Sequence, residues 1–241
     1  MHITPDEIVI FRWLGHAINA TILYTWIVML LLTLASWLVT RRLALDDAPR
    51  SRWQNALEAV VEAIRYQVSE ICKEGADTYL PFVGTLFLFI AASNLLHVLP
   101  LWHSPTASLS TTAALAICVG VAVPLFGIQR HGLRAYLGHY IRPAIVMLPF
   151  HLLSETTRNV ALAIRLFGNI MSESMILGLL LAIAPLFVPV VMQVFGLLTG
   201  MIQAYIFSIL ATVYIAAAVQ SEQQRQATAP ASGPQHKENH G

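Results

Sequence analysis

Long stretches without a charged residue are the feature that most restricts how this chain can fold. No Asp, Glu, Lys or Arg occurs between Glu173 and Glu222, and the segments Tyr79–Pro100 and Ser108–Gln129 are equally free of charge. A helix needs roughly 20 mostly apolar residues to cross the hydrocarbon core of a bilayer. Each of these segments is long enough, so the chain is predicted to be an integral membrane protein.

Composition agrees with a membrane protein and excludes several other classes. Hydrophobic residues make up 56 % of the chain and charged residues 11 %, against roughly 25 % charged in soluble proteins. Basic residues are not interleaved with aromatic ones, so nucleic-acid binding is not expected. The two cysteines, Cys72 and Cys118, form neither a disulfide framework nor a CxxC metal site, and both are interpreted as packing thiols. No cofactor or metal is expected.

Hydropathy divides the chain into five predicted membrane spans. They are Asn19–Thr40, Tyr79–Pro100, Ser108–Gln129, a helix opened by Pro143 and Pro149 that runs to about Ala184, and a last helix from about Val190 to Gln220. The predicted fold is all-α and polytopic, with residues 1–220 as a single membrane domain. Residues 221–241 are rich in Gln, Ala, Pro and Ser and are predicted to be a disordered cytoplasmic tail.

A sixth helix is predicted to lie along the membrane instead of crossing it. Between Trp53 and about Cys72, apolar residues recur at helical spacing, while Glu58, Glu62 and Arg65 fall on the other side. Its place between two spans favours an interfacial amphipathic helix, with an ordinary surface helix as the alternative.

The distribution of basic residues predicts the orientation. Five spans place the termini on opposite sides of the membrane. Eleven of the 14 Lys and Arg residues fall in the first loop, the third loop and the tail, whereas only Arg12 falls on the other side. By the positive-inside rule, the N-terminus is predicted outside and the C-terminus in the cytoplasm.

The fourth span carries polar and charged residues along one face. With Glu155 at zero on a helical wheel, all of them lie within an arc of about 80°. They are His151, Glu155, Arg158, Arg165, Asn169 and Glu173. From Glu155 to Glu173 the stripe extends about 27 Å, close to the hydrocarbon thickness. The stripe is therefore predicted to line an ion path.

Arg165 is the most informative residue of this stripe. Glu155 and Arg158 are spaced for an ion pair within the helix, and Glu173 could cap the outer surface, which would make all three structural. Arg165 has no acid three or four residues away. A charge at bilayer depth costs a few kcal/mol on insertion scales and about 10 or more in some simulations. Arg165 is therefore predicted to meet an acid supplied by another polypeptide.

The last span offers a polar face of its own. Thr199 and Gln203 lie one turn apart, with Gly196 and Gly200 beside them, and small residues allow a neighbouring helix to approach closely. Asn94 and His97 lie one turn apart in the second span. Hydrogen bonding between helices is the alternative to a role in an ion path for Gln203. For Asn94 and His97, packing or hydrogen bonding is favoured over metal binding, which needs more ligands than these.

These residues resemble one family over nearly the whole chain: subunit a of F-type ATP synthases, in the Fo sector. The motif Arg165-Leu166-Phe167-Gly168-Asn169 is similar to the most characteristic motif of that family. Residues 202–207, Ile-Gln-Ala-Tyr-Ile-Phe, resemble the second, and residues 87–90 with 93–96 resemble a third. The residues around Glu173 and Gly196 are similar to those of the alternate, N-type branch of these ATPases.

The resemblance implies a function. The last two helices would form a long tilted hairpin against a ring of c subunits, and Arg165 would face the ring's carboxylates and separate two half-channels for H⁺ or Na⁺. Gln203 would help position Arg165, while Glu155, Asn169 and Glu173 would line the paths. Peripheral stalk b subunits are further implied partners, in a bacterial plasma (inner) membrane. Because the chain has no P-loop, it is not expected to be an enzyme, and ATP chemistry would belong to partners.

Three positions depart from the family pattern. Many members carry a carboxylate at the position of Ser174, His or Glu at Gly196, and proline at Asn159. These departures bear on how the outer half-channel is built. A secondary transporter or ion-channel subunit is the alternative function, although no internal repeat is evident, and a membrane scaffold is a third.

Overall fold

A computed structural model describes residues 9–13, 16–40, 52–72, 75–98, 104–132, 148–183 and 188–228. Six α-helices occupy most of these residues. They are α1 (Ala20–Thr40), α2 (Arg52–Ile71), α3 (Ala76–Leu96), α4 (Leu109–His131), α5 (Leu148–Ile183) and α6 (Val188–Thr228). A short 3₁₀ turn, Pro105–Ala107, precedes α4.

The predicted number and kind of spans are confirmed. Five helices are long and apolar enough to cross a membrane, and α2 is the exception. Their apolar windows are Thr21–Leu38, Ala76–Leu96, Leu109–Arg130, Leu153–Leu181 and Val188–Val219. The all-helical, polytopic fold follows from these lengths, because a helix rises about 1.5 Å per residue and a bilayer core is about 30 Å thick.

Two local features differ from the sequence prediction. The helix α6 continues to Thr228, so the first part of the tail predicted to be disordered is helical, and the rest lies outside the described residues. Before α1, the strands β1 (Val9–Trp13) and β2 (His16–Asn19) form an antiparallel hairpin in which Trp13 pairs with His16. This hairpin was not predicted, because its pattern is short and lies beside a much stronger apolar run.

The helix α6 lies at the centre of the fold and α1 at its edge. Half of the apolar window of α6 is buried (50 %), against 11 % for α1. Small and medium side chains let α6 pack against α3, α4 and α5. The buried positions Phe207, Ala211 and Ile215 recur at spacings of four residues, which places them on one face. Any residue on that face is thereby brought close to three neighbouring helices.

The helix α2 packs on the core through a narrow stripe. Val68 is buried, Ile64 and Ile71 are partly buried against the core, and Glu58 and Glu62 are exposed as predicted. Arg65 forms an ion pair with Asp77 at 2.9 Å across the turn into α3. Both side chains are mostly exposed, so this pair contributes about 0–1 kcal/mol.

That turn depends on Gly75. Its φ is 78°, in the left-handed region, and a β-carbon there would lie 2.7 Å from Nη1 of Arg130. Next to it, burial raises the pKa of the Cys72 thiol, which agrees with the prediction of an unreactive packing cysteine. The end of α4 therefore packs directly against the turn between α2 and α3.

Candidate functional site

The Arg165 side chain is exposed at the surface of α5. Leu162 and Leu166, about 60° and 100° from it around the helix axis, are buried, whereas Ile164, about 100° away in the other direction, is exposed. Among the residues described by the structure, the Arg165 guanidinium has no hydrogen-bond or ion-pair partner. It lies in the middle part of the apolar window Leu153–Leu181. The positive charge of Arg165 therefore projects from an apolar surface, and no described residue supplies a negative charge that pairs with it.

Two cross-contacts fix how α5 and α6 pair. The Glu173 carboxylate lies directly against Gly196, in the space that a β-carbon there would occupy. Further along, the Arg158 guanidinium lies over the Tyr214 ring, 4.7 Å from its centroid. The two helices run antiparallel, so these contacts place Arg165 at the level of residues 204–207 on α6. This explains why glycine is present at 196: a larger residue there would displace Glu173.

The contact to Tyr214 differs from the ion pair considered for Arg158 in the sequence analysis. The structure places the Arg158 guanidinium over the Tyr214 ring. Both side chains are half-buried. Sequence spacing favoured an i,i+3 pair, but the structure instead gives Arg158 a partner on another helix. Tyr214 was not identified from the sequence, because an aromatic residue in an apolar span carries no distinguishing signal there.

Two carboxamides are buried with an unused donor. Nδ2 of Asn169 and Nε2 of Gln203 have no hydrogen-bond partner within the described parts of the chain, and Gln203 is only 7 % exposed. An unsatisfied buried donor costs about 1–3 kcal/mol. Such groups normally bind water or a partner group. Both amides lie on the predicted polar faces, and no hydrogen bond joins Gln203 to Arg165 among the described contacts.

Asn94 connects α3 to α6 beside this region. Its Nδ2 donates to the carbonyl oxygen of Gly200 at 2.7 Å, and the missing side chain of Gly200 makes this approach possible. The Thr106 hydroxyl donates to Oδ1 of Asn94 at 3.4 Å, and Ser104 lies 2.6 Å from Thr106. All four residues are buried. Asn94 therefore acts between helices, which the sequence analysis favoured over a metal-binding role.

Ser104 and Thr106 were missed in the sequence analysis. The signal available for them is the density of hydroxyl residues from Ser104 to Thr112 in a short connection between two spans. Buried polar groups at such depth require mutual hydrogen bonds, which a hydroxyl cluster supplies.

The remaining candidate hydroxyls bond within their own helices. The Thr199 hydroxyl donates to the Gly196 carbonyl at 3.1 Å, and the Ser174 hydroxyl donates to the Ile170 carbonyl at 2.9 Å. Both bonds are typical of Ser and Thr in apolar helices. Neither hydroxyl joins Arg165 directly. In the described ranges, no group of three His, Cys, Asp or Glu side chains is placed to hold a metal ion.

Comparison with known proteins gives one consistent result. The family model for the ATP synthase A chain matches residues 22–216. The chain is 56 % identical over 225 residues to ATP synthase subunit a 1 of Crocosphaera subtropica, covering 93 % of this chain and 97 % of the relative. It is 56 % identical over 228 residues to ATP synthase subunit a 2 of Acaryochloris marina, covering 95 % and 97 %. It is 52 % identical over 236 residues to ATP synthase subunit a of Albidiferax ferrireducens, covering 98 % and 100 %.

Proposed function

Since the chain belongs to the ATP synthase A chain family, a multi-pass membrane subunit of the ion-translocating Fo sector, we propose that Arg165 is the fixed cation past which the ion-carrying carboxylates of a c-subunit ring move. Ion flow through two half-channels is coupled in this way to rotation of the ring. The subunit itself has no catalytic role, and ATP chemistry occurs on partner subunits.

The observation that carries this proposal is the exposed Arg165 guanidinium, which has no hydrogen-bond or ion-pair partner among the residues that the structure describes. It projects from an exposed part of α5 that includes the apolar side chains of Val160 and Ile164. Such a charge facing lipid costs at least a few kcal/mol. A partner that brings a carboxylate to this surface removes the cost, because opposite charges stabilise each other strongly at low dielectric.

The surface around Arg165 supports the close approach of another helix. Ala161, Gly168 and Ser172 lie within about 60° of Arg165 around the helix axis, and all three are small. Small side chains at a membrane interface allow helix backbones to approach each other. A c-subunit helix can therefore come near enough for its carboxylate to reach the guanidinium.

The mechanism follows from one fixed charge and a moving acid. Arg165 stabilises the ionised carboxylate as it passes, so the ion is released before the arginine and taken up again after it. Direct leakage from one half-channel to the other requires passage of a cation past the guanidinium, which repels it. Each charge that crosses gains about 2.3 kcal/mol per 100 mV of membrane potential, and this energy drives rotation.

The other polar groups of α5 and α6 are proposed to line the half-channels. The unused donors of Asn169 and Gln203 are suited to hold water along a path. Glu173, seated against Gly196, and Glu155 provide acidic groups on opposite sides of Arg165. Four further residues are proposed to support the helices that form this path: Arg158, Thr199, Ser174 and Asn94.

The proposed partners of the subunit are the c-ring and peripheral stalk b subunits. Its proposed location is a bacterial plasma (inner) membrane, with the N-terminus outside and the C-terminus in the cytoplasm. The coupling ion is H⁺ or Na⁺, and the carboxylate site of the c subunit selects between them.

Replacement of Arg165 tests the proposal. Arg165→Ala should abolish ATP-driven ion pumping in inverted membrane vesicles, while the c-ring and stalk subunits still copurify with the chain. Arg65→Ala is the matched control, because that arginine is exposed outside the spans in a surface ion pair, and pumping should be retained. Full coupling in the Arg165→Ala vesicles would refute the assigned role.

A further inference from the structure

Two consecutive residues of α5 reach two different neighbouring helices. Arg158 places its guanidinium over the Tyr214 ring of α6, 4.7 Å from the ring centroid. Asn159 places its carboxamide against Gly120 of α4, where a β-carbon would lie 3.0 Å from Cγ of Asn159 and overlap its Nδ2. Neither contact is within α5 itself. The helix is therefore held from two directions at one level.

This pair of contacts restricts rotation of α5 about its axis. Consecutive side chains on a helix point about 100° apart, so a rotation that relaxes one contact compresses or breaks the other. A turn of 30° moves a side-chain tip by about 3 Å on a helix of 10–12 Å diameter. That displacement takes the guanidinium off the ring and the carboxamide out of the space left open by Gly120.

The direction of the Arg165 side chain depends on this rotation, because no hydrogen bond or ion pair within the described residues directs it. Arg165 lies about 10 Å along the axis from Arg158 and within about 20° of it around the helix. The direction in which Arg165 projects is therefore set by the backbone of α5, and the backbone is held at residues 158 and 159.

We propose that Arg158 and Asn159 are positioning residues that fix the rotation of α5, Arg158 through Tyr214 and Asn159 through Gly120, and so keep Arg165 on the exposed face. This inference rests on the function proposed for Arg165. An ion pair between Arg158 and Glu155 would leave α5 free to turn, because both groups belong to the same helix. The contact with a neutral ring on α6 connects two helices.

Arginine suits this contact because its guanidinium is planar and stacks on an aromatic face. Cation–π contacts of this kind are stronger when they are shielded from water, and both Arg158 and Tyr214 are half-buried. Lysine retains part of the attraction and phenylalanine retains the ring. These two conservative replacements therefore distinguish the ring contact from a simple requirement for bulk.

The test is a set of variants in the intact ATP synthase complex, assayed for ATP-driven pumping in vesicles. Arg158→Gln and Tyr214→Leu should each lower the pumping rate roughly three- to tenfold, and the double variant should be no slower than either single variant, since both remove one interaction. Arg158→Lys and Tyr214→Phe should stay within about twofold of the parent, because each keeps a cation–π pair.

A second measurement reports the rotation of α5 directly. A nitroxide is attached at Leu179→Cys, an exposed position about 40° from Arg165 around the helix axis and outside the small-residue surface, in a background with Cys72 and Cys118 replaced by serine. Its accessibility to a lipid-soluble relaxation agent should change in the Tyr214→Leu protein and remain at the parent value in the Tyr214→Phe protein. A residue with no influence on α5 would leave the signal unchanged in both.

The outcomes separate this inference from the proposed function. If Arg165→Ala still pumps, the proposed function fails. If Arg165→Ala is inactive but Tyr214→Leu pumps at the parent rate with an unchanged nitroxide signal, the positioning inference alone is overturned. If Arg158→Gln is slow while Tyr214→Leu is normal, Arg158 acts by its charge and not through the ring, which also overturns it.

Discussion

A single guanidinium distinguishes this chain from an ordinary bundle of apolar helices. Arg165 keeps a full charge in the middle of a span, on an exposed face, without a partner in the described part of the chain. Asn169 of α5 and Gln203 of α6 each carry a buried amide nitrogen with no acceptor in that same part. The free-energy cost of burying these polar groups falls once water, an ion or a partner subunit interacts with them.

Arg165→Lys should fail almost as completely as removal of the side chain. Lysine loses its proton readily where water is excluded and lacks the planar fork that matches a carboxylate. The ATP-driven pumping rate in inverted vesicles should fall at least about tenfold. Arg65→Lys, a change outside the spans, is the matched control and should leave the rate unchanged. A lysine variant that pumps within twofold of the parent would show that any positive charge suffices.

Gln203→Leu should cause a partial defect. Leucine is similar in size but removes the Nε2 donor that is buried without a partner, so a water held there loses one hydrogen bond. The pumping rate should fall about two- to tenfold, in the range expected for one hydrogen bond of about 1 kcal/mol. Ser208→Ala is a suitable control, since that hydroxyl bonds within its own helix. An undiminished rate in Gln203→Leu would reduce the residue to packing.

At the scale of helices, glycines decide where α6 can meet its neighbours. Gly196 leaves space for the Glu173 carboxylate of α5, and Gly200 leaves space for Asn94 of α3. The two glycines lie one turn apart on α6, so two neighbouring helices are held to the same stretch of it. Asn94 adds a hydrogen bond of 2.7 Å to the Gly200 carbonyl. The packing of α6 is thus set by contacts that no larger residue permits.

Gly200→Ala should destabilise the subunit. The added β-carbon would lie 3.0 Å from Cβ, Cγ and Nδ2 of Asn94, and overpacking of this kind costs about 1–3 kcal/mol. The apparent melting temperature of the purified protein in detergent should fall. Asn94→Ala in the same chain removes two of the three close atoms and should restore part of the loss.

Gly178→Ala provides the control for this experiment. No atom lies within 4 Å of a β-carbon at that position, so the change should be neutral or slightly stabilising. Equal melting temperatures for the Gly200→Ala and Gly178→Ala proteins would show that the contact between Asn94 and Gly200 is not tight in solution.

At the scale of the whole molecule, α6 is the central helix and α1 lies at the edge, in contact with α3. Large apolar side chains of α1, Trp26 and Leu30 among them, are exposed. With the five candidate spans of the described residues, we propose that the two ends of the chain lie on opposite sides of the membrane. The helix α2 and the basic loops are proposed to face the cytoplasm.

Sidedness can be measured with terminal tags. A protease added to inverted vesicles should remove a tag placed after Gly241, and should leave a tag placed before Met1 intact until the membrane is opened by detergent. This expectation follows from the excess of Lys and Arg in the first loop, the third loop and the tail. Cleavage of both tags from one side would contradict a fold with an odd number of spans.

The sequence by itself determined the spans and the amphipathic helix α2, and it identified Arg165 as the leading candidate for a functional residue. Hydropathy and helical periodicity are local properties, so a run of about 20 apolar residues identifies a span without knowledge of its neighbours. A charge inside such a run is conspicuous for the same reason. The N-terminal hairpin and the extension of α6 to Thr228 were not predicted, because neither has a strong local pattern.

Only the tertiary structure decided which faces meet. Helical periodicity shows that Arg158, Arg165 and Glu173 share one side of α5, but it does not show which helix that side touches. The ring of Tyr214, the space at Gly196 and the carbonyl of Gly200 became partners through the register between helices. That register depends on packing between residues far apart in the chain, and side-chain shape, unlike hydropathy, acts only once two surfaces are in contact.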